Sequence, residues 1–365
     1  MVAISTTSKT KVEIEVDWEL AEKIALRVSG RAPFKDSDSS KDLTESFEEY
    51  TPQAELLVEQ ATGLKSSCGE ARAKIVNRDD WIKVNLASLK RLLGPILKNS
   101  QEKNKTFFIP TFTSIEIGVV LGWMSTRVLG QYDLLVLEDE GKEDQDIVYY
   151  VGPNIKAIES RYAFDPKNFR LWLALHELTH RAQFTGVSWM RQYYLDLVGK
   201  VIQEVENNST FSFKGSRDNF STKSSMAKLD QKSESFISDT ESMTSQHQTM
   251  DQISSLMTIL EGHGDATMNR AGLGHVKGNE RFEKVVRERR KSSRGVTKIF
   301  QKLIGLDAKM AQYEEGESFI AEVEEFGGNE LVNVLWEGSE FLPTLSEINS
   351  PEIWISRIKI LKNEK

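Results

Sequence analysis

LWLALHELTHRAQF, residues 171–184, is the stretch that decides the fold and the chemistry of this chain. Asp165 and Pro166 precede it and predict a helix start, since an aspartate side chain caps the first amide groups and proline fits the first turn. Large apolar residues run through the predicted helix, so we expect it to be buried. Two histidines and a glutamate on such a helix would be costly to bury without partners.

The two histidines of this stretch, His176 and His180, are four residues apart, so a helix places both imidazole rings on one face. That spacing suits one zinc ion, because a catalytic zinc uses three protein ligands, neutral imidazole among them, and keeps one position open for water. Glu177 follows the first histidine and would lie beside that water, where its carboxylate can accept a proton. The motif therefore predicts a Zn²⁺ site with Glu177 as the general base.

A third protein ligand is needed, and a second predicted helix offers candidates in LEGHGDATM, residues 260–268. Glu261 and Asp265 share one face of that helix. We predict Glu261 as the third ligand and Asp265 as the acceptor for the ring N–H of a ligating histidine. His263 points to another side of a regular helix, and it becomes the ligand instead if the adjacent glycines distort the helix. If it is not a ligand, we expect His263 to line the cleft and stabilise the oxyanion.

The whole sequence predicts a predominantly helical protein with a small β-sheet, an α+β fold in which the two metal-ligand helices pack together. Two β-rich runs, YDLLVLE (132–138) and IVYYVG (147–152), flank an acidic loop and indicate a hairpin. Residues 1–12 are predicted to be a flexible tail and 13–365 a single domain. Within that domain, 207–250 is rich in Ser, Thr, Lys, Asp and Gln, which predicts a polar loop or lid.

Cap and first-turn residues predict further helices along the chain. The predicted starts are Asp17, Thr51–Pro52 and Asp79 or Asp80, and the third of these helices is expected to bend or break at Gly94–Pro95. From Ile115 to Gly130, small residues alternate with large apolar ones, a pattern that lets another helix approach closely.

Composition excludes several classes of protein. Of 365 residues, 39% are hydrophobic and 28% charged, which is typical of a folded globular protein. The formal net charge of -8 argues against nucleic-acid binding, because neutralising phosphates needs an excess of Lys and Arg. Cys68 is the single cysteine and the N-terminus lacks the apolar core of a signal peptide, so we expect a cytoplasmic protein. Charges within residues 115–137 make a membrane span there costly, so no membrane partner is expected.

The chain also resembles a known family, the zincin-like metallopeptidase type 2 family, whose bacterial and archaeal members are often associated with biosynthesis of a deazaflavin coenzyme. The resemblance spans most of the chain and is carried by LGWMSTRVLGQYDLL (121–135), VGPNI (151–155), FRLWLALHELTHRAQF (169–184), LEGHGD (260–265), GLDAKMAQYEEGESF (305–319) and LPTLSEINSPEIWISRI (342–358). It implies a mostly α zincin-like fold with a bound zinc. The predicted ligand set, two histidines and a glutamate, resembles that of the gluzincins.

These observations favour a zinc metallopeptidase in which Glu177 activates water for attack on a peptide or amide bond. Two other functions use the same residues. In the first, the zinc is structural and the protein acts as a binding or assembly factor. In the second, the enzyme is an amidase that acts on a metabolite. The sequence alone does not separate a peptide substrate from a metabolite amide.

Overall fold

The computed structural model describes residues 16–32, 40–102, 114–132, 146–201, 230–292 and 313–363. Most of these residues are helical. The helices are α1 (Trp18–Ser29), α2 (Ser40–Thr62), α3 (Arg78–Glu102), α4 (Ser114–Ser125), α5 (Gly152–Tyr162), α6 (Pro166–Gly186), α7 (190–201), α8 (Asp230–Ala271), α9 (Asn279–Ser292), α10 (Tyr313–Asn333, kinked at Gly328), α11 (Leu345–Ile348) and α12 (Pro351–Asn363). Two single 3₁₀ turns, Val334–Trp336 and Ser339–Phe341, follow α10.

The described strands form one small sheet in the order β1-β3-β2. Strand β1 (Arg72–Val76) pairs in parallel with β3 (Ile147–Val151), and β2 (Gly130–Tyr132) pairs antiparallel with β3. All five residues of β3 are buried, as expected for the central strand of a covered sheet. The predicted α+β class with a small sheet is therefore confirmed. Strand β2 ends at Tyr132, so the rest of the predicted first hairpin strand, 132–138, lies outside the described part of the chain, and the hairpin stays a prediction.

Helix α6 lies between the two largest apolar cores. Its start agrees with the sequence prediction, because the Asp165 carboxylate accepts a hydrogen bond from the Asn168 amide at 3.0 Å and Pro166 is the first helical residue. The first core joins the N-terminal two thirds of α6 to α2, β3 and α9, through residues such as Phe47, Tyr150, Phe169, Leu175 and Phe282. The second joins the end of α6 to α8, α10 and α12, through Phe184, Ile259, Phe319 and Trp354.

Two arginines of α6 are almost fully buried, and each is paired with carboxylates from other elements. Arg170 donates from Nε to Glu159 Oε1 at 2.7 Å, and its guanidinium also binds Asp42. Arg181, with a side chain 1% exposed, donates to Asp146 at 3.0 Å and forms an ion pair with Glu55. Since a buried charge without a partner is very costly, these pairs fix α6 against α2, α5 and the start of β3.

Helices α1 and α4 pack at backbone contact through two glycines. A Cβ added to Gly118 would lie 2.6 Å from the Ala21 carbonyl oxygen, and one added to Gly122 would lie 2.5 Å from that of Ala25. Real Cβ atoms do not approach that closely, so a side chain at either position would separate the helices. The sequence prediction of close helix packing in this segment agrees with that contact.

Three predicted boundaries are wrong. Helix α2 begins at Ser40 rather than at Thr51, because a continuous stripe through Leu43, Phe47 and Val58 is buried on both sides of Pro52. Helix α3 is capped by Asn77, whose side chain accepts from the Asp80 amide at 2.7 Å, and it runs through Gly94–Pro95 to Glu102.

The third wrong boundary is that of the predicted polar loop, 207–250, which is helical from Asp230 onward. Gln, Lys, Ser and Glu residues are acceptable helix formers, and neither glycine nor proline interrupts the chain from Asp230 to Glu261. The rest of that loop and the predicted 1–12 tail lie outside the described residues. The single-domain prediction stays a prediction.

Within the described residues, no helix combines the length and apolar character that crossing a bilayer requires. The apolar segment beginning near Ile115 instead forms α4 and then β2, both in contact with other elements.

The α1–α4 contact yields a stability prediction. We expect Gly122→Ala to lower the free energy of unfolding by about 1–3 kcal/mol, since the new methyl group meets backbone that cannot move aside locally. Urea denaturation followed by circular dichroism measures the change. The matched control is Gly199→Ala in α7, where nothing lies within 4 Å of the added Cβ and stability should hold or rise slightly. Equal effects of the two substitutions would contradict the prediction.

Candidate metal centre

Helices α6 and α8 bring two histidines and one carboxylate together. His176 and His180 lie on one face of α6 with ring centroids 4.7 Å apart and planes nearly perpendicular. Glu261, from α8, places Oε1 3.9 Å from Nε2 of His180. One ligand atom from each of the three residues lies within 4.8 Å of the other two. The three predicted ligands are therefore neighbours, although they come from distant parts of the sequence.

This donor set fits a zinc ion. Two imidazole nitrogens and one carboxylate oxygen are the combination found in one class of catalytic zinc sites, where water takes the fourth position. Bonds of about 2.0–2.1 Å to a tetrahedral ion would put ligand atoms roughly 3.3 Å apart, slightly closer than the separations here. Small side-chain rotations close that difference. In the described part of the chain the group has three members, which is the number that a catalytic zinc requires.

Gln183 orients His180 from one turn further along α6. Its side-chain oxygen lies 3.0 Å from Nδ1 of His180, so a proton on Nδ1 leaves the lone pair of Nε2 facing Glu261. The amide nitrogen of Gln183 donates to the Leu260 carbonyl at 2.9 Å and lies 3.0 Å from Nδ1 of His263. The side chain is fully buried. Gln183 thus links α6 to α8, and its contact with His180 sets the tautomer of that histidine.

Sequence reasoning missed Gln183, although a signal was present. Gln183 follows His180 by three residues and so lies on the same helix face. The residues around it are mostly apolar, which indicates that its side chain is buried. A polar residue there needs partners, and a histidine one turn earlier is the nearest candidate.

His263 does not join the three ligands, and it does not line the cleft. It is 4% exposed, and its ring meets that of Trp336 edge-on at 4.8 Å between centroids. Burial lowers the pKa of His263 to about 3, with smaller contributions from Arg270 and His180, so the ring is neutral and accepts from Gln183. The alternative of His263 as a ligand is therefore not favoured, and its predicted oxyanion role is not supported. Two residues beyond Glu261, a regular helix turns the side chain away from the cleft.

A backbone contact between α8 and α10 positions Glu261. A Cβ added to Gly262 would lie 2.2 Å from the carbonyl carbon of Gly316, and one added to Gly316 would lie 2.1 Å from the Thr258 oxygen. The helices touch without a side chain between them, directly beside Glu261. The sequence analysis did not identify Gly316, because nothing local to it indicates which helix it meets.

Asp265 lies one turn beyond Glu261, in a group of three carboxylates with Glu283 and Glu317. The guanidinium of Arg287 is 3.5 Å from Asp265 and pairs with both of the other carboxylates. Arg287 therefore supplies one positive charge to a group of three carboxylates. The predicted role of Asp265 as the acceptor for a ligand N–H stays a prediction.

Glu177, next to His176 in the sequence, lies at the wall of an open cleft. It is 5% exposed and borders, together with His176, a cleft of about 830 Å³. Its carboxylate rests against Gly130 of β2, where an added Cβ would lie 2.4 Å from Oε1. Only a residue without a side chain leaves that space for the carboxylate. A molecule in the cleft would therefore meet the Glu177 carboxylate and the His176 ring on the same wall.

The comparisons with known proteins agree with this geometry. A sequence model of a family described as zincin-like metallopeptidase matches residues 16–355. Among solved structures, one from Chloroflexus aurantiacus described as a "putative hydrolase with a novel fold" is similar, with a TM-score of 0.71 and 26% sequence identity. The match covers 94% of this chain and 99% of that chain. No curated protein matches the sequence.

The role of Gln183 can be tested by metal affinity. We expect Gln183→Leu to weaken zinc binding by about 10- to 100-fold, because His180 loses the acceptor that fixes its tautomer. Competition with a chromophoric chelator measures the affinity, and circular dichroism checks that the variant is folded. Gln192→Leu in α7 is the control, since Gln192 is exposed and bonds only locally to Asp196. A folded Gln183→Leu protein with unchanged zinc affinity would exclude this role.

Proposed function

The chain belongs to the zincin-like metallopeptidase family, and on that basis we propose that it is a zinc-dependent hydrolase that cleaves peptide or amide bonds. His176, His180 and Glu261 would hold the ion. The observation that carries the proposal is the convergence of these three side chains, one of which, His176, also lines the cleft beside Glu177. The similar structure described as a hydrolase supports the reaction class.

A zinc ion bound there would polarise the scissile carbonyl and acidify a water molecule. Glu177 would accept the proton that the attacking water loses and return it to the leaving nitrogen, so that its carboxylate is regenerated after each turnover. The bond broken is C–N, and the bond formed is C–O. Burial of Glu177 against Gly130 excludes bulk water from one side of the carboxylate and limits its rotation.

The remaining residues of the site would keep the ligands in position. Gln183 holds His180 in the tautomer with Nε2 available, and it also bonds the backbone of α8 at Leu260. That second bond ties the helix of Glu261 to the helix of the histidines. Preorganised ligands of this kind are a general requirement of metal sites.

A structural zinc in a binding or assembly factor is the second candidate. Structural zinc sites are closed by four protein ligands, whereas the group in the described residues has three and borders a cleft. This difference supports the catalytic proposal. A peptide substrate and a metabolite amide both stay predictions. The link to deazaflavin biosynthesis and the cytoplasmic location stay predictions as well.

The ligand assignment predicts metal content. We expect purified protein to bind about one zinc per chain and the His176→Ala, His180→Ala and Glu261→Gln variants to bind it at least roughly tenfold more weakly. Atomic emission on dialysed samples measures the content. Glu317→Gln is the matched control, since it removes a carboxylate from the neighbouring acidic group around Arg287 and should leave zinc binding intact. Loss of zinc from the Glu317→Gln control alone would place the metal in the acidic group around Arg287 and contradict the ligand assignment.

The proposed base predicts a separation of binding from turnover. We expect Glu177→Gln to reduce hydrolysis by about 10²- to 10⁴-fold while zinc content stays unchanged, because the amide cannot accept the proton of the attacking water. Cleavage of a peptide library followed by mass spectrometry measures the rate. Glu322→Gln, at an exposed position of α10, is the control. Hydrolysis at the normal rate by the Glu177→Gln variant would contradict the proposed mechanism.

A further inference from the structure

The cleft beside Glu177 is rich in arginine, although the chain as a whole is acidic. In the described part of the chain, the side chains that line it include four arginines, namely Arg78, Arg127, Arg161 and Arg289. The carboxylates among the same lining residues are Glu177 and Glu288. A formal net charge of -8 makes such a local excess of positive charge notable. The cleft is therefore suited to an anion rather than to a cation.

One of the four arginines has a structural explanation. Arg78 is 7% exposed and donates from Nε to Asn154 Oδ1 at 2.8 Å. Asn154 in turn donates to the carbonyl oxygens of Ser125 and Val128, so this chain of bonds holds the turn after α4. Arg78 is thus part of the fold. The other three arginines form what we call the arginine cluster: Arg127, Arg161 and Arg289.

The arginine cluster is assembled from three separate elements. Arg127 lies in the turn after α4, Arg161 in the last turn of α5 and Arg289 in α9. The guanidinium of Arg289 donates to the Arg127 carbonyl at 3.4 Å, which brings α9 against the turn. The Arg127 guanidinium lies 3.9 Å from the centre of the Trp123 ring and stacks on it. These contacts bring α9 and the turn after α4 together at the cleft, where the Arg127 and Arg161 side chains are accessible from solvent.

The positive charges of the cluster interact with one another. Burial lowers the pKa of Arg289, and the nearby charges of Arg127 and Arg161 lower it further. Burial also lowers the pKa of Arg127. Partly desolvated like charges repel, and an anion placed among them would relieve that repulsion. The guanidinium fork matches the two oxygens of a carboxylate, which makes arginine the usual residue for recognising this group.

The rest of the cleft fits a short stretch of substrate. Its volume of about 830 Å³ is within the range of small-molecule and peptide sites, and Trp123, Leu129 and Trp172 supply apolar walls. The same cleft contains Glu177 and His176. A substrate group held by the arginine cluster would therefore belong to the same molecule whose amide bond lies beside the proposed base.

We propose that the arginine cluster of Arg127, Arg161 and Arg289 binds a carboxylate of the substrate, so that the protein selects amide bonds close to an acidic side chain or a free C-terminal carboxylate. This inference rests on the proposed hydrolase function. It adds the substrate class, which the family match does not supply.

Binding can be tested without turnover. Zinc-loaded Glu177→Gln protein is immobilised and exposed to random peptide libraries with either a free or an amidated C-terminus, and retained peptides are sequenced. We expect retained peptides to be enriched about tenfold in Asp and Glu over Asn and Gln, or to come from the free-acid library, a preference worth about 1.4 kcal/mol. The first result assigns the carboxylate to a side chain, and the second assigns it to the C-terminus.

Arginine variants separate the cluster from the metal, which also attracts carboxylates. In the same Glu177→Gln background, Arg127→Gln and Arg289→Gln are each expected to reduce the acidic preference by at least about fivefold. Arg281→Gln is the matched control on α9, since Arg281 is exposed and is not among the residues that line the cleft. Zinc content and circular dichroism confirm that every variant is folded and loaded.

The outcomes are distinct. Equal retention of acidic and neutral peptides would overturn the inference, and so would retention of no peptide at all. An acidic preference that survives both arginine substitutions would also overturn it. Acid-selective binding by a protein that hydrolyses nothing would leave the arginine site standing and remove the proposed hydrolase function. Hydrolysis without a preference for acidic peptides would leave the hydrolase function standing and overturn the arginine site.

Discussion

The burial of α6 constrains the rest of the structure. This helix lies between two apolar cores, yet it carries two arginines, two histidines, a glutamate and a glutamine. A buried polar group without a partner costs several kcal/mol or more if charged, so each must be matched by another element. Carboxylates of α2, α5 and residue 146 match Arg170 and Arg181. The helix that carries the proposed chemistry is thus fixed by its own polar side chains.

The same requirement places α8 beside α6. Gln183 has two hydrogen-bonding ends, and both are used: the oxygen meets His180, while the nitrogen reaches Leu260 and His263 on α8. That link positions Glu261 near His180. The cleft lies between α6 and the arginine cluster, which lies on the turn after α4, on α5 and on α9. His176 belongs to the proposed ligand group and also lines the cleft, so the proposed metal site and the proposed substrate site meet on α6.

The local parts of this arrangement could be predicted from the sequence, and the long-range parts could not. The α6 start, the shared face of His176 and His180 and the choice of Glu261 follow from caps and helical periodicity, which involve neighbours a few residues apart. Strand β1 was missed, because its parallel pairing with β3 depends on residues more than seventy positions away. The arginine cluster and Gly316 were missed for the same reason. The burial of His263, which does not favour the predicted oxyanion role, could not be predicted either, because burial, unlike spacing, is a property of the whole fold.

The glycine contact between α8 and α10 has a mechanical consequence. With Gly262 and Gly316 at backbone contact, no side chain separates the two helices, and neither can slide along the other without lifting away. The pair therefore behaves as one stiff unit that carries Glu261. If the cleft widens to admit a substrate, the hinge belongs on the opposite wall, in α9 or in the turn after α4. Admission of a substrate and retention of the metal would then be uncoupled.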